Sequence, residues 1–347
     1  MIVGRQSSSG EEMSKDMKKS VLQKTEPGFF WSYLAHFGIN SWKDIPLEEE
    51  SAEKGEHWLT RCQADHVRFD EESWKRVSSA LAANGCNQIV IDIAEILKYP
   101  SHPELAVKGS WSVDKFRAEL SRLRGMGIEP VPKLNFSAGH DTWLKEYHRM
   151  VSTPDYYRVC EDLIRDVVEI FDNPRFFHLG YDEETLAAQR DCRYVVLRQG
   201  SMWWHDFLWF VKVVEKTGCR PWMWSDYAWH HKDEYRRYMP KSVLQSNWYY
   251  DKSFDPARMG EKAFRVTTYE WLDKEGFEQV PTGSNIRHAT NFPDTVRFCD
   301  SHCSAERIRG YMMAPWARTF ASHEAKALDA ARVLGETREK FRHLCIA

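Results

Sequence analysis

The chain has 347 residues, of which 42% are hydrophobic and 29% charged, a composition typical of soluble globular proteins. This length suits two ordinary domains or one large α/β barrel with long loops. The formal net charge is only −3, which argues against nucleic acid as the main partner. No run of about 18 apolar residues occurs, so we expect no membrane-spanning helix and no membrane partner.

The first 26 residues are polar and rich in Ser, Lys and Glu. They lack the apolar middle of a secretory signal, so we predict a flexible tail at 1–26 and a single domain at 27–347. The eight cysteines are scattered without a Cys-x-x-Cys pair, which favours reduced thiols and a cytoplasmic location. Export stays open if a leader is missing, and the sequence does not indicate an oligomeric state.

Strand-like and helix-like segments alternate through the first half of the chain. Aromatic or β-branched runs predict strands at 28–37, 87–96 and 128–136. Apolar residues at helical spacing predict a helix over 73–84 that ends at Gly85, and another that begins at the capping residue Ser112. Thr153-Pro154 predicts the start of a third helix.

The same alternation continues through the second half. The stretch RFFHLGYDEE predicts strand four at 175–184. Further strands are predicted at 220–229, 242–250, 284–292 and 307–317, and a final helix at 323–341. Strands that alternate with helices imply parallel βα units, and about eight such units imply an α/β fold, the (β/α)8 TIM barrel.

Polar and aromatic residues cluster just past the predicted strands, where active sites of such barrels lie. They are His36, Asp92, Glu95, Lys133, Asn135, His140, Asp182, Glu183, Glu184, Trp224, Asp226, Trp248, Tyr249, Asp251, Trp316 and Arg318. Carboxylates fit glycoside hydrolysis, which needs a proton donor and negative charge near an oxocarbenium-like centre. Tryptophan offers a flat apolar face that suits a sugar ring.

The acidic triplet Asp182-Glu183-Glu184 has two interpretations. Like charges in a partly dry site raise the pKa of one carboxyl toward neutral pH, which would provide an acid. Alternatively, the triplet simply caps the following helix, whose dipole favours carboxylates there. Spacing alone does not decide between them.

The segment His178-Leu-Gly180-Tyr181-Asp182-Glu183 resembles the His-x-Gly-Gly-Asp-Glu motif of glycoside hydrolase family 20, the β-N-acetylhexosaminidases. The stretch 99–140 is similar to the family's loop, helix, strand and closing Gly-His. The segment 248–251, Trp-Tyr-Tyr-Asp, is similar to its Trp-Tyr-Leu-Asp. The resemblance covers 28–318 and implies the family's catalytic barrel.

This resemblance implies an exo-acting glycosidase that cleaves a terminal 2-acetamido sugar with retention, the sugar's own acetamido oxygen being the nucleophile. It implies Glu183 as general acid and base, Asp182 as the group that orients the acetamido nitrogen, and Tyr249 as donor to its oxygen. No metal or organic cofactor is implied. The other predicted sugar-site residues are Trp224, Asp226, Trp248, Asp251, Trp316, Asn135, His140, Tyr181 and Arg318, with Asn135 and His140 in supporting roles. We expect Glu184 to cap the next helix.

The sequence departs from the family at several substrate contacts. Ala35 stands where the family has an arginine, and Arg318 stands where it has a glutamate. Lys133 and Asn135 replace acids on strand three, and Tyr181 replaces the second glycine, where it either fills the space that the glycine left or contacts substrate. We therefore expect the chemistry to be retained while the terminal sugar differs, and Lys133 with Arg318 would favour an anionic sugar.

Two other classes of function remain. A metal-dependent barrel hydrolase would need several His and Asp residues at strand ends, and the histidines here are dispersed. A non-catalytic carbohydrate-binding barrel would not require both Asp182 and Glu183. A metal assay and a turnover assay distinguish these classes from a glycosidase.

Overall fold

The structure, a computed structural model, describes residues 28–38, 42–49, 53, 55 and 59–345. Within this part of the chain, eight parallel strands form one sheet in the order β6-β5-β4-β3-β2-β1-β8-β7. The strands are β1 (Phe30–His36), β2 (Gln88–Asp92), β3 (Glu129–Lys133), β4 (Phe176–His178), β5 (Arg220–Trp224), β6 (Leu244–Ser246), β7 (Thr282–Gly283) and β8 (Gly310–Met313). The predicted tail at 1–26 lies outside the described residues and stays a prediction.

The two ends of this sheet meet. Val280 N donates to Gln245 O at 2.8 Å, and Thr282 N donates to Asn247 O at 2.9 Å. These bonds join the segment around β7 to β6 and close the sheet. The predicted (β/α)8 barrel is thereby confirmed.

Helices follow the strands and cover the outside of the barrel. They are α1 (Glu71–Ala83), α2 (Val113–Gly125), α3 (Pro154–Ile170), α4 (Leu186–Gln189), α5 (Ser201–Lys216), α6 (Lys232–Tyr238), α7 (Phe264–Lys274), α8 (Asn291–His302) and α9 (Glu324–Lys340). The predicted caps are confirmed: Ser112 accepts from Lys115 N at 3.2 Å, and Thr153 accepts from Tyr156 N at 3.3 Å. In the described part of the chain, every helix is too short or too polar to cross a membrane.

Alternation along the strands creates two apolar layers, because successive side chains point to opposite faces. In β1, Phe30 and Leu34 join the cluster inside the barrel, whereas Trp31, Tyr33 and Ala35 join the cluster under the helices. The inner cluster also contains Val90, Val131, Phe176, Trp222, Trp224, Leu244, Trp248, Val280, Met312 and Ala314. The interior is therefore packed, and a site is expected at the carboxyl ends of the strands, as in other barrels of this kind.

The predicted seventh strand, 284–292, is wrong. The observed strand is Thr282–Gly283, and α8 already begins at Asn291. A Cβ at position 283 would lie 2.8 Å from Thr295 Oγ1, so glycine is required where this strand meets α8. A strand of two residues is too short to show an alternating pattern, which is why the sequence did not locate it.

Candidate active site

The chain turns sharply after β4 to present the acidic triplet. Tyr181 and Glu183 both adopt positive φ angles, 71° and 52°, which are uncommon for residues with side chains. Gly180 is required in this turn, because a Cβ there would lie 2.1 Å from Asn135 Oδ1. Neighbouring strands hold the turn: Asn135 Oδ1 accepts from Tyr181 N at 3.2 Å, and Asp226 Oδ2 accepts from Glu183 N at 2.9 Å. Residues that follow β3 and β5 therefore fix a strained backbone at this point.

Asp182 and Glu183 converge on one histidine. His140 Nε2 lies 3.5 Å from Asp182 Oδ2 and 3.6 Å from Glu183 Oε2. Asn135 Nδ2 donates to Asp182 Oδ1 at 2.8 Å, which fixes the Asp182 carboxylate. Asp182 is buried, whereas 40% of the Glu183 side chain remains exposed. Four predicted site residues thus form one cluster, the acid cluster (Asn135, His140, Asp182 and Glu183).

The charges in this cluster stabilise one another. Burial opposes the charged form of His140, but the neighbouring Asp182 and Glu183 raise the His140 pKa above its usual value. Burial also raises the pKa of Glu183, but His140 and the cations Arg61 and Arg265 outweigh it and lower that pKa overall. Glu183 is therefore ionised in the sugar-free site at neutral pH.

Beside the acid cluster, Asp226 has a raised pKa. Burial and the negative charge of Asp182 raise the Asp226 pKa to about 7, against the N–H of Glu183, which lowers it. The sequence-based expectation that one neighbouring carboxyl would be poised near neutral pH thus applies here to Asp226 and not to Glu183. Asp226 also lies 3.5 Å from Trp248 Nε1.

Tryptophans line the interior beside these acids. Trp224 and Trp316 have ring centroids 6.4 Å apart. Trp248 packs against Trp229 at 4.6 Å, and Tyr250 stacks on Trp248 at 5.2 Å. The three predicted tryptophans therefore belong to the aromatic interior of the barrel, where Trp224 and Trp248 are buried and Trp316 is partly exposed.

Tyr250, and not the predicted Tyr249, faces the interior. Tyr249 packs outward against Phe254 at 5.1 Å, in the layer under the helices. Burial and the charges of Asp182 and Glu183 raise the Tyr250 pKa, so its hydroxyl lies within the field of the acids. The alternation Leu244, Ser246, Trp248, Tyr250 along one face explains this placement, and the same period-two pattern in the sequence would have found it.

Two other predicted sugar contacts lie elsewhere. Tyr181 points into the helix layer, where its ring packs on Trp203 and Phe207 of α5 at 5.3 and 5.1 Å. It fills space between barrel and helix, which is one of the two roles that the sequence left open, and the other role, contact with substrate, is corrected. Asp251 lies at the rim, where it pairs with the exposed Arg287 at 3.2 Å.

Glu184 is not a helix cap. Thr185 caps α4 through Ala188 N at 3.2 Å, whereas Glu184 forms a buried ion pair with Arg198 at 2.6 Å. Glu184 Oε2 also accepts from Ala138 N at 3.0 Å, and Arg198 Nη2 donates to Phe136 O at 2.7 Å. The pair therefore ties the β4 loop to the β3 loop that carries His140.

The two predicted anion-selecting cations differ in their surroundings. Lys133 Nζ lies 2.5 Å from Asp92 Oδ2, and both side chains are buried. This pairing neutralises Lys133 and corrects its predicted role. Arg318 is buried beside Trp42, with its Cζ 5.6 Å from the ring centroid.

Three residues near the site were not identified from the sequence. Trp42 covers His140 at a ring distance of 4.1 Å and touches Trp316 at 5.7 Å. Arg61 lies over Trp42 at 4.7 Å, and Arg265 lies over Trp229 at 4.6 Å. These residues lie in loops or at the start of a helix and do not follow a predicted strand. The sequence therefore carried no local indication that they lie near the site.

The acid cluster also has the composition of a cation site. In the described part of the chain, ligand atoms of His140, Asp182 and Glu183 all lie within 4.8 Å of one another. One imidazole nitrogen and two carboxylate oxygens are ligand types that zinc accepts, although this combination is not among its usual catalytic sets. The geometry therefore allows either acid/base chemistry or metal binding.

Comparison with known proteins establishes the fold. No protein-family model matches the chain, and no curated protein sequence matches it. Among solved structures, it is similar to an exo β-N-acetylglucosaminidase of glycoside hydrolase family 20 from Vibrio harveyi in complex with N-acetylglucosamine. That likeness has 12% identity and a TM-score of 0.55, and it covers 91% of this chain and 58% of the other.

Two further structures are similar. Flavobacterium johnsoniae chitobiase is 17% identical with a TM-score of 0.56, covering 88% of this chain and 51% of that one. A Streptomyces plicatus β-hexosaminidase variant bound to its product is 13% identical with a TM-score of 0.59, covering 89% and 64%. The chain thus spans between about half and two thirds of the length of these three proteins. At identities this low, the structural likeness shows a shared barrel fold and does not show a shared function.

Proposed function

We propose that the protein is a retaining glycosidase that acts on a terminal 2-acetamido sugar. The observation that carries this proposal is the convergence of Asp182 and Glu183 on His140 Nε2, at 3.5 and 3.6 Å, beside the interior tryptophans. A fixed carboxylate next to a more exposed one suits a reaction that needs an orienting group and a mobile proton. The similar structures bound to N-acetylglucosamine support the choice of sugar.

The environments of the two acids support different roles. Asp182 is buried and held by Asn135, so it would accept a hydrogen bond from the acetamido N–H and orient that group. Each carboxylate oxygen accepts more than one hydrogen bond, so the existing bonds leave room for this one. Glu183 is partly exposed and would reach the leaving oxygen.

The reaction would run in two steps. The acetamido oxygen bonds to the anomeric carbon as the bond to the leaving oxygen breaks, and Glu183 gives its proton to that oxygen. Water then attacks the anomeric carbon of the cyclic intermediate, the bond from that carbon to the acetamido oxygen breaks, and Glu183 takes the proton from this water. Two displacements at the same carbon retain its configuration.

A bound sugar would favour the protonated form of Glu183. The 40% of its side chain that is exposed would be covered by the substrate, and burial raises a carboxyl pKa. His140, whose own pKa is raised by the two acids, lies in position to share this proton. The hydroxyl of Tyr250, in place of that of Tyr249, would donate a hydrogen bond to the acetamido oxygen.

The test is turnover of an aryl 2-acetamido-β-glucoside and the matching galactoside by wild type and Glu183→Gln. We expect the substitution to reduce kcat by about two or more orders of magnitude, the usual scale of general acid catalysis. Glu169→Gln, in a side chain that is 81% exposed on α3, is the matched control and should retain activity. Equal turnover by wild type and Glu183→Gln would remove Glu183 from the mechanism, and sugar binding without any turnover would indicate a binding barrel.

A metal-dependent hydrolase is the second candidate, because three ligand atoms lie within 4.8 Å of one another. A metal there would activate water, and activity would then depend on it. Loss of turnover with a chelator, restored by added zinc, would favour this candidate. Unchanged turnover after chelation would support the glycosidase.

A further inference from the structure

Arg318 is a buried cation that forms no direct ion pair within the described part of the chain. Only 5% of the residue is exposed, and its Nε has no hydrogen-bond partner in the structure. Its guanidinium forms no side-chain hydrogen bond with the described residues, and Asp92 and Glu95 attract it without direct contact. Burying an unpaired charge is costly, and burial, with repulsion from Arg61, lowers the Arg318 pKa to about 9.

Trp42 connects Arg318 to the acid cluster. The Cζ atoms of Arg61 and Arg318 lie 4.7 and 5.6 Å from the centroid of the Trp42 ring. The same ring lies 4.1 Å from His140. The guanidinium of Arg318 is thus one aromatic ring away from the proposed catalytic residues. Contact with an aromatic face offsets only part of the cost of desolvating a cation.

Positive charge exceeds negative charge around Arg318. The cations that act on Arg318 or on the neighbouring His36 include Arg61, Arg68 and Lys133, and Arg318 itself repels Lys326; the carboxylates that act on Arg318 are Asp92 and Glu95. Glu183, which faces Arg61, offsets part of this positive charge. Asp92 is already bound to Lys133.

A second buried polar side chain faces this region. His36 is 1% exposed, and neither of its ring nitrogens has a hydrogen-bond partner in the described structure. Its ring lies 5.3 Å from that of Trp316, and burial together with Arg318 keeps it neutral by lowering its pKa well below the usual value. A neutral imidazole has one N–H donor that is available to a ligand.

We infer that Arg318 and His36 bind an anionic substituent, a sulfate ester or a carboxylate, on the terminal sugar of the substrate. The inference rests on the proposed function, since it names the sugar class that the same site takes. A planar guanidinium binds the paired oxygens of either group in a bidentate manner. The surplus positive charge beside the acid cluster would be neutralised by this substituent.

The experiment measures binding, so that it can be separated from catalysis. Calorimetry at pH 7 compares N-acetylglucosamine, its 6-sulfate and its 3-O-lactyl ether on the Glu183→Gln protein, alone and with Arg318→Met or Arg318→Lys. We expect one anionic sugar to bind at least tenfold tighter than the neutral sugar, and the identity of that sugar distinguishes sulfate from carboxylate. Arg318→Met should abolish the preference, and Arg318→Lys, which keeps charge without the planar fork, should retain part of it.

Arg332→Met, at an exposed position on α9, is the matched control and should keep the full preference. Equal affinity for all three sugars, or a preference that survives Arg318→Met in a protein that melts like its parent, would overturn the inference. Turnover of the neutral aryl glycoside without such a preference would overturn the inference and leave the proposed function intact. Tight binding of an anionic sugar without any turnover would support the inference and count against the proposed function.

Discussion

At the scale of single residues, Asp226 sets a measurable pH dependence. Its pKa is raised from 3.8 to about 7 by burial and by Asp182, so the folded protein binds this proton more tightly than the unfolded chain does. The free energy of unfolding should therefore decrease as the pH rises from about 4 to about 7. Asp226→Asn, which keeps the uncharged form, should remove an effect on the order of 1–2 kcal/mol after allowance for solvent screening.

Urea denaturation at pH 4.5 and pH 8 measures this effect. The control is Asp233→Asn, because that side chain is 99% exposed and its substitution should leave the pH dependence of wild type in place. A pH dependence that is the same in wild type and Asp226→Asn would show that Asp226 is ionised throughout this range.

The neighbouring tyrosines give a second test at this scale. Tyr250 stacks on Trp248 and faces the acids, whereas Tyr249 packs outward on Phe254. If the Tyr250 hydroxyl donates to the acetamido oxygen, Tyr250→Phe should reduce kcat by about 10²-fold or more, as loss of a donor to developing charge does. Tyr249→Phe should change kcat by less than about threefold. The reverse order of the two effects, measured with the aryl glycoside, would show that Tyr249 and not Tyr250 faces the acids.

At the scale of elements, the loops after β3 and β4 act as one unit. Arg198 and Glu184 are both buried and paired, and Arg198 also contacts Asp206 of α5 at 3.3 Å. Arg198→Met would leave two carboxylates without their cation. We expect it to reduce the free energy of unfolding by about 3–5 kcal/mol, the usual cost of breaking a buried ion pair from one side.

Chemical denaturation measures this loss. Arg117→Met is the control, because its pair with Glu169 is exposed and should contribute no more than about 1 kcal/mol. A loss in Arg198→Met as small as in Arg117→Met would mean that water or a rearranged side chain compensates the buried carboxylates.

How much of an element could be predicted depended on its length. The five-residue strand β2 and the capped helices α2 and α3 carried local patterns that the structure confirms. The two-residue strand β7 carried none, because its position is set by pairing with β8. Tyr181 was assigned to the pocket by its place in a motif, but its positive φ turns the side chain toward α5.

At the scale of the whole molecule, the barrel brings together residues that are far apart in the chain. Asn135, Asp182 and Asp226 lie at the ends of three adjacent strands, and the rule for the barrel predicted that they would meet. The rule could not predict that Trp42 folds over His140 or that Lys133 is neutralised by Asp92. Such contacts depend on loop paths and on pairings between strands, which local sequence does not encode.

The central claim is that the substrate's own acetamido group is the nucleophile, oriented by Asp182. The most direct measurement is kcat for aryl glycosides of one sugar whose N-acyl group carries zero, one, two or three fluorines. Each fluorine makes the amide oxygen a poorer nucleophile, so we predict that kcat falls at every step of this series. A kcat that does not change across the series, or equal turnover of the aryl glucoside without the acetamido group, would contradict the account.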